Sequence, residues 1–237
     1  MKRKTNTLAA LGWLVTYPDE NLRQALPEIE TVLQTEKWLP EKSLAGIRKL
    51  IAELKNRDLL DVQEEYVNLF DRTPSLSLHL FEHVHGDSRE RGPAMVDLDR
   101  IYRVAGMENA SDETPDYLPL FLEYLSILEP EQARDDLKGA IDVIAALGER
   151  LKKRDSLYAA VFEGLIVAAK QAPDMKNLQR ALEIDAGALP SAEALDEVWE
   201  AQFAFDNPMG KPSDGCPKAE DMLARIGIES IKVEKRS

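Results

Sequence analysis

Thr114-Pro115-Asp116-Tyr117-Leu118-Pro119-Leu120-Phe121-Leu122-Glu123-Tyr124-Leu125-Ser126-Ile127-Leu128 carries the pattern that sets the fold. Thr114 offers a side-chain oxygen for an N-cap and Pro115 suits a first helical position, so a helix is expected from Asp116 to Leu128. On such a helix Asp116 and Glu123, seven residues apart, share one face with Leu120 between them. Tyr117 and Tyr124 repeat the same interval one position later. Two readings stay open for this stripe. Acid, apolar and aromatic groups together suit a ligand that is both basic and amphipathic. Equally, Asp116 favours the positive helix end while Tyr117, Phe121 and Tyr124 pack as core.

The same spacing extends outward in both directions, and strand-like alternation is almost absent. Upstream, Leu8, Leu11, Leu14 and Val15 form a first helix that Pro18 stops. Asp19 caps a second with Leu22, Leu26, Ile29, Val32 and Leu33. Pro40 opens a third with Leu44, Ile47, Leu50, Ile51 and Leu54. Asp58 or Asp61 starts a fourth that buries Val62, Tyr66, Leu69 and Phe70. After the break at Thr73-Pro74, a short helix is expected from Leu76 to a left-handed cap at Gly86. Asp87 or Ser88 caps the next, which runs to Gly106. Downstream, Pro130 opens a helix through Leu137, Ile141, Ile144, Leu147 and Leu151. Another starts at Ser156, and a last one carries Leu195, Val198, Trp199 and Phe203.

From Asn207 onward Pro208, Gly210, Pro212, Gly215 and Pro217 crowd together. The expected architecture is therefore all-α: a single-domain compact helical bundle of about ten helices over residues 1–206, with a flexible tail over 207–237. Within that tail Met222, Leu223 and Ile226 share one face, flanked by Lys218, Arg225 and Lys232. Such a segment is either a solubilising tail or an imitation of a basic amphipathic ligand.

The 237 residues are 44% hydrophobic and 31% charged, with a formal net charge of -13. A surface this acidic repels phosphate backbones and attracts basic peptides, so nucleic acid is not expected as a partner. The single cysteine, Cys216, can form no internal disulfide, which fits a reducing cytosol. Leu8 to Val15 is too short to span a bilayer and leads straight through Trp13, Tyr17 and Pro18 into more helix. A cytoplasmic monomer is expected, since no long heptad seam is legible.

His79-Leu80-Phe81-Glu82-His83 matches the H-x-x-E-H motif of inverzincin zinc proteases. On a helix His79 and His83 would share a face, with Glu82 as general base. Thr73-Pro74 and Gly86 leave too little helix there for a rigid metal platform, and no other catalytic constellation is present. The chemistry reads as that of a binding protein, not an enzyme. Arg89 and Arg91 sit at a positive helix end, where local energetics do not ask for them. A tertiary ion pair with Glu82, Asp71 or Glu123, or contact with a partner, accounts for them better.

Three blocks go further. They are Leu80-Phe-Glu-His-Val-His-Gly-Asp-Ser-Arg-Glu-Arg-Gly92 with Ala94-Met-Val-Asp-Leu98, Pro115-Asp-Tyr-Leu-Pro-Leu-Phe-Leu-Glu-Tyr-Leu125, and Leu195-Asp-x-Val198-Trp-Glu200. In sequence and order they resemble the NarJ-like assembly chaperones of respiratory nitrate reductase. That family is a branch of the redox-enzyme maturation chaperones of the TorD/DmsD-like superfamily. The similarity covers most of residues 8 to 203.

The resemblance implies an all-helical cytosolic chaperone that binds the apo alpha (catalytic) subunit of the reductase, including its basic, amphipathic N-terminal segment. It supports insertion of the molybdenum cofactor and iron–sulfur cluster before membrane assembly. No cofactor is permanently bound, and any contact with the molybdenum cofactor is transient. Related chaperones carry Glu-x-Pro-Asp-His at the head of the groove helix. Glu113-Thr114-Pro115-Asp116-Tyr117 matches except at Tyr117, so a protonation role there is not carried over. The candidate client-binding residues are Glu113, Asp116, Tyr117, Leu120, Glu123 and Tyr124, with His83, His85, Arg89 and Arg91 at the edge. Competing readings are a chaperone for another molybdoenzyme, a general amphipathic-peptide adaptor and, remotely, a zinc hydrolase.

Overall fold

Apolar residues at helical spacing bury themselves by packing helix on helix. In a computed structural model that describes residues 4–85 and 91–184, the helices run α1 (Asn6–Trp13), α2 (Glu20–Thr35), α3 (Glu41–Asn56), α4 (Leu59–Tyr66), α5 (Glu82–His85), α6 (Arg91–Val104), α7 (Leu118–Ile127), α8 (Pro130–Gly139), α9 (Ile141–Lys152), α10 (Ala159–Ala169) and α11 (Met175–Ile184). Among the described residues there is no strand, only one isolated bridge between His79 and Tyr117. The fold is all-α, as the spacing predicts. No described helix is long and apolar enough to cross a membrane.

Local caps lie where the sequence places them. The Asp19 carboxylate accepts the Leu22 amide at 2.7 Å, Asp58 accepts the Leu60 amide at 2.9 Å, and Pro40 stands at the α3 N-cap. Gly106, at φ 80°, turns the chain after α6. The start of α1 is held from a distance instead. The Glu36 carboxylate accepts the Asn6 and Thr7 amides, both at 2.8 Å, and the Thr7 hydroxyl at 2.7 Å.

Leu8, Leu11 and Leu14 on α1 are fully buried, and α1 packs on α2, α7 and α10. Gly12 permits the close approach to α7: a Cβ there would stand 3.3 Å from both the Leu122 Cβ and the Pro119 carbonyl oxygen. One hydrophobic cluster extends from Leu8 to Ala169. A small second one joins Ala145 and Ala146 of α9 to Leu178 of α11.

Three local expectations are corrected. No helix runs from Leu76 to Gly86. Leu76 closes a 3-10 turn, and the next residues are extended and paired with the start of α7, leaving only Glu82–His85 as helix. The α7 helix begins at Leu118 rather than Asp116, with Tyr117 at the N-cap and Pro119 in the first turn. The reason is Pro119, which lacks an N–H and clashes one turn back unless it lies in a first turn. Finally, the helix expected from Pro130 through Leu151 is two helices. They part at Ala140 (φ -97°, ψ 2°), just after Gly139, a poor helix former.

The expected caps at Asp87 or Ser88, the helix around Leu195 to Phe203, the domain boundary at Asp206, Cys216 and the tail lie outside the described residues. The helix α11, which the sequence reading does not anticipate, docks on α9. There the Asp142 carboxylate accepts the Asp174 amide at 2.8 Å and the Asn177 side chain at 3.0 Å.

Gly148 of α9 sets the closest approach to α10, because a Cβ there would lie 3.1 Å from the Phe162 Cβ. Gly148→Val should therefore destabilise the protein by about 1–3 kcal/mol through overpacking, read as a lower urea midpoint at unchanged slope.

Candidate functional site

The Leu78–Phe81 stretch and the Pro115–Leu118 turn meet across a short antiparallel bridge. The Leu118 amide donates to the Leu78 carbonyl at 2.8 Å, and the Leu80 amide donates to the Asp116 carbonyl at 3.0 Å. Leu78, Leu80 and Phe81 are buried, which anchors the segment to the core. Asp116 locks it in place. Its carboxylate is fully buried and accepts the Phe81 amide at 3.0 Å and the Thr114 hydroxyl at 2.6 Å. His79 Nδ1 lies 3.5 Å from the same carboxylate and 3.0 Å from the Thr114 hydroxyl, and His79 Nε2 lies 3.6 Å from Glu113.

These contacts set the ionisation of the pair. The Asp116 carboxylate raises the His79 pKa above its ordinary value against partial burial, with Glu82 and Glu113 adding to the effect. Burial alone would push the Asp116 carboxyl up. Bonds from His79, Thr114 and the Phe81 amide outweigh it and hold the carboxyl below its usual range.

From this junction an aromatic line runs to the surface. The Tyr117 ring lies 5.4 Å from the His79 ring, and its hydroxyl is 3.4 Å from that of Tyr66. Tyr66 donates its single hydroxyl hydrogen to the Val15 carbonyl at 3.1 Å, leaving Tyr117 as the donor between them. Tyr17 packs edge-on against Tyr66 at 5.6 Å and is 47% exposed. Trp13, at the end of α1, is 41% exposed.

The expected stripe along α7 is only partly built. Asp116 and Glu123 do not share a helix face, because Asp116 precedes the helix and points inward. Tyr124 is also interior. Its hydroxyl donates to Asp136 at 3.2 Å, and burial pushes that carboxyl up to about 6. Glu113 and Glu123 are exposed, while Tyr117 and Leu120 are half-buried. His83 turns back on its own segment, with Nε2 at 2.8 Å from the Ser77 carbonyl oxygen. Arg91 makes the tertiary ion pair expected of it, with Glu82 at 3.1 Å. Arg89 and the His85 side chain lie outside the described residues.

The helix on which His79 and His83 would share a face is absent, because His79 sits in the bridge and only His83 is on α5. The premise for a zinc platform is therefore not met. The sequence reading assigns no role in this line to Tyr66 or Tyr17, nor any to the exposed Trp13. One signal was available: Trp13 falls off the Leu8, Leu11, Leu14 stripe, at a position that the periodicity turns toward solvent.

The family model described as "Nitrate reductase delta subunit" matches residues 17–163. The chain is 39% identical over 195 residues, 82% of each chain, to the "Nitrate reductase molybdenum cofactor assembly chaperone NarJ" of Escherichia coli (strain K12). It is 36% identical over 203 residues, 84% of each, to the "Probable nitrate reductase molybdenum cofactor assembly chaperone NarW" of the same organism. To the "Probable nitrate reductase molybdenum cofactor assembly chaperone NarJ" of Bacillus subtilis (strain 168) it is 30% identical over 179 residues, 75% of this chain and 95% of that one.

The His79–Asp116 pair predicts a two-sided pH dependence. A raised His79 pKa contributes stability that is full below its unfolded value near ~6.5 and is lost as pH rises through the folded pKa. A depressed Asp116 pKa contributes stability present above about 3.9 and lost as pH falls through the folded pKa. The urea midpoint should accordingly decline on raising pH past about 6.5, and His79→Gln should remove that decline. An unchanged pH profile in His79→Gln would show that the pair does not couple to folding.

Proposed function

Because the chain belongs to the nitrate reductase delta subunit family, we propose that it is a system-specific assembly chaperone for a respiratory nitrate reductase. Its client is the alpha (catalytic) subunit in the apo form. Binding includes that subunit's basic, amphipathic N-terminal segment and supports molybdenum cofactor insertion before membrane assembly. The chaperone acts in the cytoplasm as a monomer, catalyses no reaction and holds no permanent cofactor.

The observation that carries the recognition step is the surface where α1 meets the start of α7. Exposed Glu113 precedes α7 and exposed Glu123 lies on it, Tyr117 and Leu120 of the same segment are half-buried, and Tyr117 connects through Tyr66 to the exposed ring of Tyr17. A basic amphipathic helix needs an apolar seat with negative charge at its rim. The net charge of -13 adds long-range attraction for such a segment. Within this reading Asp116 and Tyr124 shape the seat from beneath, while Glu113, Tyr117, Leu120 and Glu123 touch the client.

Calorimetric titration with a peptide from the client N-terminus should give saturable, equimolar binding. Glu113→Gln with Glu123→Gln should weaken it roughly three- to ten-fold at low ionic strength, and the difference should shrink at high salt. An affinity unchanged in this folded double variant would remove the α7 edge from the client site. Absence of binding to the unsubstituted chain would remove the N-terminal segment as its ligand.

A further inference from the structure

Helix α4 reaches the head of α7 through single side chains rather than along a packed helix face. Its extensive packing is with the turn that follows it, Val67–Asp71, and with no other described helix. Two residues three apart on α4, and so on one face, make the link instead. The Gln63 side-chain amide donates to the Pro18 carbonyl at 2.8 Å, and the Tyr66 hydroxyl donates to the Val15 carbonyl at 3.1 Å. Both acceptors lie just past the end of α1, where no helical amide reaches a carbonyl.

Tyr66 does more than Gln63. Its oxygen also accepts the Tyr117 hydroxyl at 3.4 Å, and its ring meets that of Tyr17 edge-on at 5.6 Å. Val15 and Tyr117 lie 51 positions to either side of Tyr66, so nothing local in the chain fixes their spacing. One phenol ties them together. Its ring is backed by Phe70 at 4.9 Å and by Tyr158 at 6.2 Å. Phe70 belongs to an unusual element. Val67–Asp71 is π-helical, with the Arg72 amide donating to the Val67 carbonyl at 2.9 Å, and Tyr66 is the last α-helical residue before it. Single π-turns of this kind are rare and recur at functional sites.

At 3.4 Å the bond between the two hydroxyls is long for O–H···O, so it aims the Tyr117 ring while contributing little to stability. Aim is what a docking surface requires. A side chain already held in its bound orientation loses less freedom when a ligand covers it. Tyr117 is half-buried and Tyr17 is exposed, so both can be covered, whereas Tyr66 at 4% exposure cannot. Building on the client reading of the α7 edge, we propose that Tyr66 is a positioning residue of that surface. Its hydroxyl orients Tyr117 and its ring orients Tyr17, so that both meet a basic amphipathic segment already arranged. Tyr66 itself does not touch the client.

The peptide from the client N-terminus, titrated by calorimetry into the full chain, provides the test. Tyr66→Phe keeps the ring and removes the hydroxyl, and it should weaken binding about three- to five-fold. In a Tyr117→Phe background the same change should add nothing further, because the hydroxyl that Tyr66 orients is already gone. Gln63→Leu removes a hydrogen bond to the same α1–α2 connection without touching Tyr117. It should lower the melting temperature, as Tyr66→Phe does, yet leave the affinity unchanged. Unchanged affinity in folded Tyr66→Phe, an undiminished effect in the Tyr117→Phe background, or an equal loss in Gln63→Leu would reduce Tyr66 to a structural role and overturn the assignment. Each of those outcomes leaves the α7 edge as the client site, since the unsubstituted chain still binds. Absence of binding to the unsubstituted chain would instead remove that site, and the role of Tyr66 with it.

Discussion

The fully buried carboxylate of Asp116 is the constraint on which the surface around α7 depends. A charge removed from water is costly unless hydrogen bonds and an opposite charge replace its hydration. Here the replacement comes from three directions: the Phe81 amide, the Thr114 hydroxyl and the His79 ring. Each contact holds a different piece of backbone. Together they keep the Leu78–Phe81 stretch extended and fold the Thr114–Tyr117 turn against it, ahead of the helix start that Pro119 sets at Leu118. Hydrophobic burial of Leu78, Leu80 and Phe81 supplies the driving force, and the carboxylate supplies the register.

That register decides which side chains remain on the surface. With Asp116 turned inward and Tyr124 tied to Asp136, the exposed members of the Glu113 to Tyr124 set are Glu113 and Glu123. Tyr117 is aimed by the same turn into the line that leads through Tyr66 to Tyr17. Tyr66 then has two neighbourhoods. Tyr117 and Tyr17 form one, and Phe70 and Tyr158 form the other. A change in the packing of α4 would be felt at both.

Much of the helical framework was legible because its signals are local. A 3.6-residue apolar repeat needs no partner to be read, and Asp19, Asp58 and Pro40 cap helices within three residues of themselves. Where a terminus is satisfied from far along the chain, the reading fails. The start of α1 is capped by Glu36, and nothing near Asn6 announces it. The Asp116 carboxylate looks like a local helix-starting acid but is spent on Phe81, 35 positions away. Pro119 was a local signal against a helix starting at Asp116, and Thr114-Pro115 outweighed it in the reading.

By itself the sequence determined that the chain is helical, where most of its helices begin and which family it resembles. Periodicity, prolines and motif blocks are properties of neighbouring residues. Only the tertiary structure decided which members of the Glu113 to Tyr124 set face solvent. It likewise decided that His79 joins Asp116 rather than His83, and that Tyr17, Tyr66 and Tyr117 form one aromatic line. The physical reason is common to all three. The fate of a polar or aromatic side chain is set by which distant groups can complete its hydrogen bonds and cover its apolar area, and chain spacing does not encode that pairing.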